Sequence, residues 1–126
     1  MARRPALGKV LVIEDDEAIR ALVHEVLTDG GYEVHEARSG NDGLACVSEV
    51  RPDLILLDKL MPDGDGTTFA RGYRARKGPH APIVALSAAA DAGDWAARIG
   101  AAAYLGKPLD INDLLAVVGA ELAKTR

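Results

Sequence analysis

Leu54-Ile55-Leu56-Leu57-Asp58 is the stretch that most constrains how this chain can fold. Four consecutive apolar residues, bounded by Pro52-Asp53 before and by Met61-Pro62-Asp63-Gly64 after, read as a short strand buried on both faces. The run ends abruptly at its first charge, which places Asp58 at the carboxyl edge of the strand. In an open parallel sheet that edge is where ligands bind. Three other apolar runs also end in chemistry. Val10-Leu11-Val12-Ile13 stops at Glu14-Asp15-Asp16, Ile83-Val84-Ala85-Leu86 stops at Ser87, and Ala102-Ala103-Tyr104-Leu105-Gly106 stops at Lys107-Pro108. Acids, a hydroxyl and an amine therefore collect on one edge.

Between these runs the apolar period changes to that of helices. Ile19, Leu22, Val23, Val26 and Leu27 share one helical face and stop at Gly30-Gly31. Tyr32 to Ala37 alternates weakly, as an edge strand would. Ser39 can cap a second helix carrying Leu44, Val47 and Val50. Met61 to Gly66 reads as a turn-rich loop. A third helix runs through Phe69 and Tyr73 and ends near Gly78-Pro79. The alanine-rich segment from Ala88 to Gly100 has only Trp95 and Ile99 as large apolar residues, which predicts a poorly anchored helix. A closing helix carries Leu114, Leu115, Val117, Val118 and Leu122, capped by Asp110 or Asn112. This alternation predicts an α/β fold, a doubly wound five-stranded parallel sheet with helices on both faces. Residues 1–126 read as one domain, with residues 1–8 as a loose lead-in.

Composition narrows the function classes. A net charge of -4 argues against direct nucleic-acid binding, which needs a basic face. No apolar run approaches the roughly 20 residues that span a bilayer, and no hydrophobic stretch behind the N-terminus resembles a signal peptide. Cys46 is the lone cysteine, which rules out an internal disulfide. The expectation is a cytoplasmic protein with no membrane contact.

The chemistry follows from the shared edge. Glu14 and Asp15 leave the first strand where Asp58 leaves its neighbour, and clustered carboxylates ionise together only around a cation. Hard oxygen ligands suit Mg²⁺, which keeps several waters and bridges to phosphate. Lys107 adds a fixed positive charge and Ser87 a hydroxyl donor. Such a set around one carboxylate suits phosphoryl transfer, with Asp58 as the acceptor.

Glu14-Asp15, Asp58 followed by Met61-Pro62 and Asp65-Gly66, Ser87-Ala88, and Tyr104 with Lys107-Pro108 resemble, in order and spacing, the receiver domain of two-component response regulators, in particular its stand-alone, chemotaxis-regulator-like members. The resemblance covers about residues 8–123. It implies the flavodoxin-like strand order 2-1-3-4-5 and phosphorylation of Asp58 by a sensor histidine kinase or phosphotransfer protein, with an effector that the sequence does not identify. Glu14 and Asp15 are implied as the metal pair, a slip of one residue onto Asp16 being the alternative. The backbone carbonyl of Leu60 completes the metal site by the same resemblance, and Lys107-Pro108 is implied to be cis. Ser87 and Tyr104 are implied to be a switch pair. Ala88 leaves the phosphoryl group room, and Leu60 and Ala89 flank the path of an attacking water.

Two positions depart from the family pattern. Lys59 stands where an apolar or bulky residue is commoner and is expected to point outward, and the stretch from Ser87 to Lys107 is about two residues short. A haloacid-dehalogenase-like phosphohydrolase also uses an aspartyl-phosphate, Mg²⁺ and a lysine, but it needs an aspartate where Leu60 stands. The chain is therefore read as a switch, not an enzyme, that catalyses only its own phosphorylation and dephosphorylation. A receiver cut from a longer transcription factor or hybrid kinase remains the alternative, and the Met1 start favours a stand-alone chain.

Overall fold

The computed structural model describes residues 6–62 and 64–124. Five strands, β1 (Lys9–Ile13), β2 (Glu33–Ala37), β3 (Leu54–Asp58), β6 (Ile83–Ala88) and β7 (Ala103–Lys107), form one parallel sheet in the order β2-β1-β3-β6-β7. This is the expected order 2-1-3-4-5, with Leu54–Asp58 at the centre and buried throughout. The helices α1 (Glu17–Asp29), α2 (Gly40–Val50), α3 (Gly66–Ala75), α4 (Ala89–Ile99) and α5 (Ile111–Ala123) connect and cover it. None is long and apolar enough to cross a membrane among the described residues.

Strand periodicity divides the core in two. Successive side chains point to opposite faces. Leu11, Ile13, Ile55, Leu57, Ile83 and Ala85 pack with Val47 of α2, Phe69 and Tyr73 of α3, and Trp95 and Ile99 of α4. Val10, Val12, Leu54, Leu56, Val84, Leu86 and Leu105 pack on the other face with Val23 and Leu27 of α1 and Leu114, Val118 and Leu122 of α5. A strand buried on both faces needs no alternation, which is why the runs read as continuous apolar stretches.

Side-chain caps start four of the helices. Asp16 accepts from the Ile19 N–H at 3.0 Å, Ser39 from Asp42 at 3.1 Å, Asp65 from Thr67 at 2.9 Å and Asp110 from Asp113 at 3.0 Å. Asp110, not Asn112, is thus the cap of α5. Helix α4 follows Ala88 with no side-chain cap.

Several expectations are corrected. Helix α4 is firmly anchored, because Ala92, Trp95, Ala96 and Ile99 turn one buried face to the sheet and the Trp95 indole N–H donates to Thr67 Oγ1 at 3.0 Å. The alanines let the helix lie close, and the indole fills the space beneath Gly66, where an added Cβ would sit 2.8 Å from the ring and 2.5 Å from the Asp58 carbonyl oxygen. Helix α3 ends at Ala75, short of Gly78-Pro79, because Arg76 turns extended and its guanidinium donates to Leu44 O of α2 at 2.6 Å. The turn-rich loop contains a short antiparallel pair, β4 (Leu60–Met61) with β5 (Gly64–Asp65), while Asp63 lies outside the described residues. Residues 1–5 of the lead-in also lie outside them. Leu7 and Gly8 are tied to β2 and its approach, with Leu7 N–H donating to Gly31 O at 3.0 Å and Glu33 N–H to Gly8 O at 2.9 Å.

Trp95 is 1% exposed and joins α4 to α3. Trp95→Ala should therefore cost about 3–5 kcal/mol of stability, read as a lower urea midpoint at constant m-value.

Candidate phosphoryl-transfer site

Three charged residues reach the carboxyl edge on the same phase of the sheet. Glu14 continues the phase of Val10 and Val12, Asp58 that of Leu54 and Leu56, and Lys107 that of Ala103 and Leu105. Their side chains meet. Lys107 Nζ donates to Asp58 Oδ1 at 2.8 Å and to both oxygens of Glu14 at 3.1 Å. Glu14 and Asp58 are buried and Asp15 is exposed, yet one carboxylate oxygen from each of the three lies within 4.8 Å of the others. Asp16 instead caps α1, so of the three successive acids it is Glu14 and Asp15 whose carboxylates lie near Asp58.

Arg20 holds the acidic turn in place. From the first turns of α1 its Nη1 donates to the Glu14 carbonyl at 2.9 Å and to that of Asp15 at 3.4 Å, while Nε pairs with Glu36 Oε1 at 2.9 Å. Sequence analysis did not single out Arg20 for this role. An arginine inside an otherwise apolar helical face was the available signal.

Burial in the sheet edge pushes the Glu14 carboxyl up to about 7, and the Asp58 charge adds to that rise against the pull of Lys107. Asp58 is also raised, by burial first and then by Asp15, with Lys107 opposing. Burial works against the Lys107 ammonium, but its bond to Asp58 and the Glu14 charge outweigh it and hold its pKa above the ordinary value. The three oxygens form a hard, anionic donor set that fits a divalent cation such as Mg²⁺. An added cation favours the ionised carboxylates that burial disfavours.

Ser87 is on the opposite phase of the sheet, with Ile83 and Ala85, and so faces α4. Its hydroxyl donates to Asp91 Oδ2 at 3.2 Å. Lys59 also turns inward, contrary to the outward position expected, and its ammonium pairs with the same Asp91 oxygen. The Lys59 side chain is 22% exposed. Nothing in the sequence analysis singled out Asp91; its spacing four residues after Ser87, on a helix, was the signal. Tyr104 is 54% exposed, its ring against Gly93 of α4. The Leu60 side chain is exposed, as are Ala88 and Ala89. Gly106 runs so close to the start of α4 that an added Cβ would lie 2.8 Å from Ala89 Cα. The Lys107-Pro108 peptide is cis, as expected, and so is Gly78-Pro79.

Comparison with known proteins agrees with this geometry. A family model of the response regulator receiver domain matches residues 10–119. The chain is 39% identical over 112 residues to the KDP operon transcriptional regulatory protein KdpE of Escherichia coli, covering 87% of this chain and 49% of that protein. It is 35% identical over 120 residues to the response regulator MprA of Mycobacterium leprae, covering 94% of this chain and 52% of that protein. The chain thus spans about half the length of these curated relatives. Among solved structures, a putative response regulator from Chloroflexus aurantiacus superposes with a TM-score of 0.82 at 33% identity, over 92% of this chain and 98% of that one. The chemotaxis response regulator CheY4 of Vibrio cholerae also gives 0.82, at 31% identity over 90% and 98%.

The raised Glu14 carboxyl predicts a pH dependence in chelator. Between about 4.5, its ordinary value, and about 7, the folded chain binds the proton that the unfolded chain has released. Glu14 thus supports the fold most fully below that window, and the support is lost as pH rises through it. Glu14→Gln should remove this loss, giving a higher Tm than wild type in EDTA at pH 7.5 and a flatter Tm profile between pH 4.5 and 7. An unchanged profile would contradict the coupling.

Proposed function

Since the chain belongs to the response regulator receiver domain family, we propose that it is a phosphoacceptor switch in which Asp58 takes a phosphoryl group from a sensor histidine kinase or phosphotransfer protein. The observation that carries this reading is the convergence of Glu14, Asp58 and Lys107, with Lys107 Nζ 2.8 Å from an Asp58 oxygen. In the transfer, an Asp58 carboxylate oxygen attacks phosphorus in line as the bond from phosphorus to the phosphohistidine nitrogen breaks. The leaving electron pair stays on the imidazole. Lys107 orients Asp58 beforehand and holds a phosphoryl oxygen afterwards.

The carboxylates of Glu14, Asp15 and Asp58, with the Leu60 backbone carbonyl, would hold Mg²⁺, which neutralises phosphoryl charge when bound. Ser87 and Tyr104 form the switch pair, with Ser87 turning its hydroxyl to the phosphoryl group and the Tyr104 ring changing position. Ala88, with a methyl side chain, leaves the phosphoryl group room. On this reading residues 1–126 act as one cytoplasmic receiver domain that binds a protein effector and no nucleic acid or membrane. It catalyses only its own phosphorylation and dephosphorylation.

Incubation with acetyl phosphate and Mg²⁺ should add the mass of one phosphoryl group. Asp58→Asn, which keeps the shape and removes the nucleophilic charge, should abolish the gain, as should EDTA with the wild type. Phosphate taken up by the variant would overturn the assignment.

The phosphorylated form should be long-lived. The side chains flanking the water path are Leu60 and Ala89, and neither can orient a water by hydrogen bonding. Leu60→Asn with Ala89→Glu should shorten the half-life of the phosphorylated mass after acetyl phosphate is removed. An equal half-life would show that these positions do not control the water.

A further inference from the structure

Asp91 binds two donors beside the acceptor carboxylate that are not bound to it. Its Oδ2 accepts from the Ser87 hydroxyl at 3.2 Å and from the Lys59 ammonium. Its Oδ1 lies 3.8 Å from Arg98 Nη2, two helical turns further along α4. The Lys59 bond, with help from Ser87, holds the Asp91 carboxyl below its ordinary pKa and so ionised. Helix α4 has no side-chain cap, so this acid in its first turn is the side-chain tether between the helix start and the ends of β3 and β6. A negative charge there is also favoured by the helix dipole.

Resting on the phosphoacceptor reading of Asp58, we propose that Asp91 is a positioning residue that competes with the phosphoryl group for Ser87 and Lys59. It holds both donors on α4 in the resting state and releases them on phosphorylation. The competition follows from donor counting. A serine hydroxyl has one proton to donate, so Ser87 cannot serve Asp91 and a phosphoryl oxygen at once. Lys59 has three donors, but its ammonium occupies one place. A phosphoryl group carries about -1.5 to -2 charge and three acceptor oxygens, against the single charge of a carboxylate, so it draws both donors once it arrives.

Loss of both bonds unties the first turn of α4. Through Ala89 that turn packs against Gly106, and the same helix carries Gly93, the floor on which the Tyr104 ring rests. Phosphorylation is thereby relayed to the α4 surface and to Tyr104 through a carboxylate that touches neither the metal pair nor the phosphoacceptor.

The experiment has two arms. The first reads the tether without phosphate: Tm in EDTA for wild type, Lys59→Met, Asp91→Ala and the double variant. Each single substitution should lower Tm, and the double variant should fall no further than the lower of the two singles. Additive losses, or none, would overturn the tether. The second arm reads initial rates of phosphorylation by acetyl phosphate with Mg²⁺. Asp91→Ala, in which Ser87 and Lys59 are released in advance, should be phosphorylated roughly three- to tenfold faster than wild type, the range expected for releasing one or two modest hydrogen bonds. Asp91→Glu should return the rate toward wild type, which a loss of packing alone would not. An Asp91→Ala rate equal to or below wild type, with wild type still accepting phosphate, overturns the competition and leaves the phosphoacceptor reading intact. Failure of wild type to accept phosphate overturns both.

Discussion

The bond from Lys107 to Asp58 and Glu14 is the interaction on which the rest of the site depends. Two carboxylates buried at one sheet edge repel each other and resist ionisation, and the raised values of both express that conflict. The ammonium between them, at 2.8 and 3.1 Å, moderates it without removing it. Removing the Lys107 ammonium would leave two buried carboxylates without their counter-charge, which is far costlier than the group is stabilising. Other features serve to hold this arrangement. Arg20 fixes the Glu14 and Asp15 carbonyls within the acidic turn, and Gly66 lets α3 start directly against the Asp58 carbonyl. The site is therefore preorganised by backbone contacts as much as by side chains.

Sheet parity then distributes the roles. Lys107 shares the phase of Glu14 and Asp58, so it meets them on the α1 and α5 side. Ser87, one residue past Leu86, falls on the opposite phase and meets α4. A hydroxyl at the sheet edge with this phase meets Asp91, while Leu86 before it pairs with Asp58 in the sheet. The same alternation that packs two apolar layers thus separates the charge-holding part of the site from the part that reaches α4.

Much of this was legible in the sequence, and the rest was hidden for physical reasons. The buried strand runs, their terminal acids and Lys107 were readable because a parallel strand covered on both faces excludes charge until its end. The pairing of Glu14 with Asp15 came from the resemblance and left a slip onto Asp16 open, because three successive acids look alike until the cap of α1 is seen to be Asp16. Helix α4 was misjudged because large apolar residues were taken as the measure of anchoring, whereas Ala92 and Ala96 gain contact by close approach and leave Trp95 to fill the remaining volume. Lys59 was expected outward because a lysine beside a strand end is ordinarily solvated. Its orientation depends on Asp91, 32 residues away, a pairing that no local pattern encodes.

The orientation of Lys59 also completes the charge balance of the edge. The carboxylates of Glu14, Asp15, Asp58 and Asp91 stand against the ammoniums of Lys59 and Lys107, which leaves two negative charges when all are ionised. On the proposed function a divalent cation would neutralise that excess, and phosphorylation of Asp58 would then add about one negative charge at a single point. Lys107 already touches Asp58 and needs little movement to follow the new charge. Lys59 and Ser87 must leave Asp91 to do so, and because Asp91 is carried on α4, their departure cannot occur without a change in that helix's restraints. On the proposed reading, coupling between chemistry at Asp58 and the α4 surface would follow from how few donors serve so many acids, with no flexible segment needed to carry it.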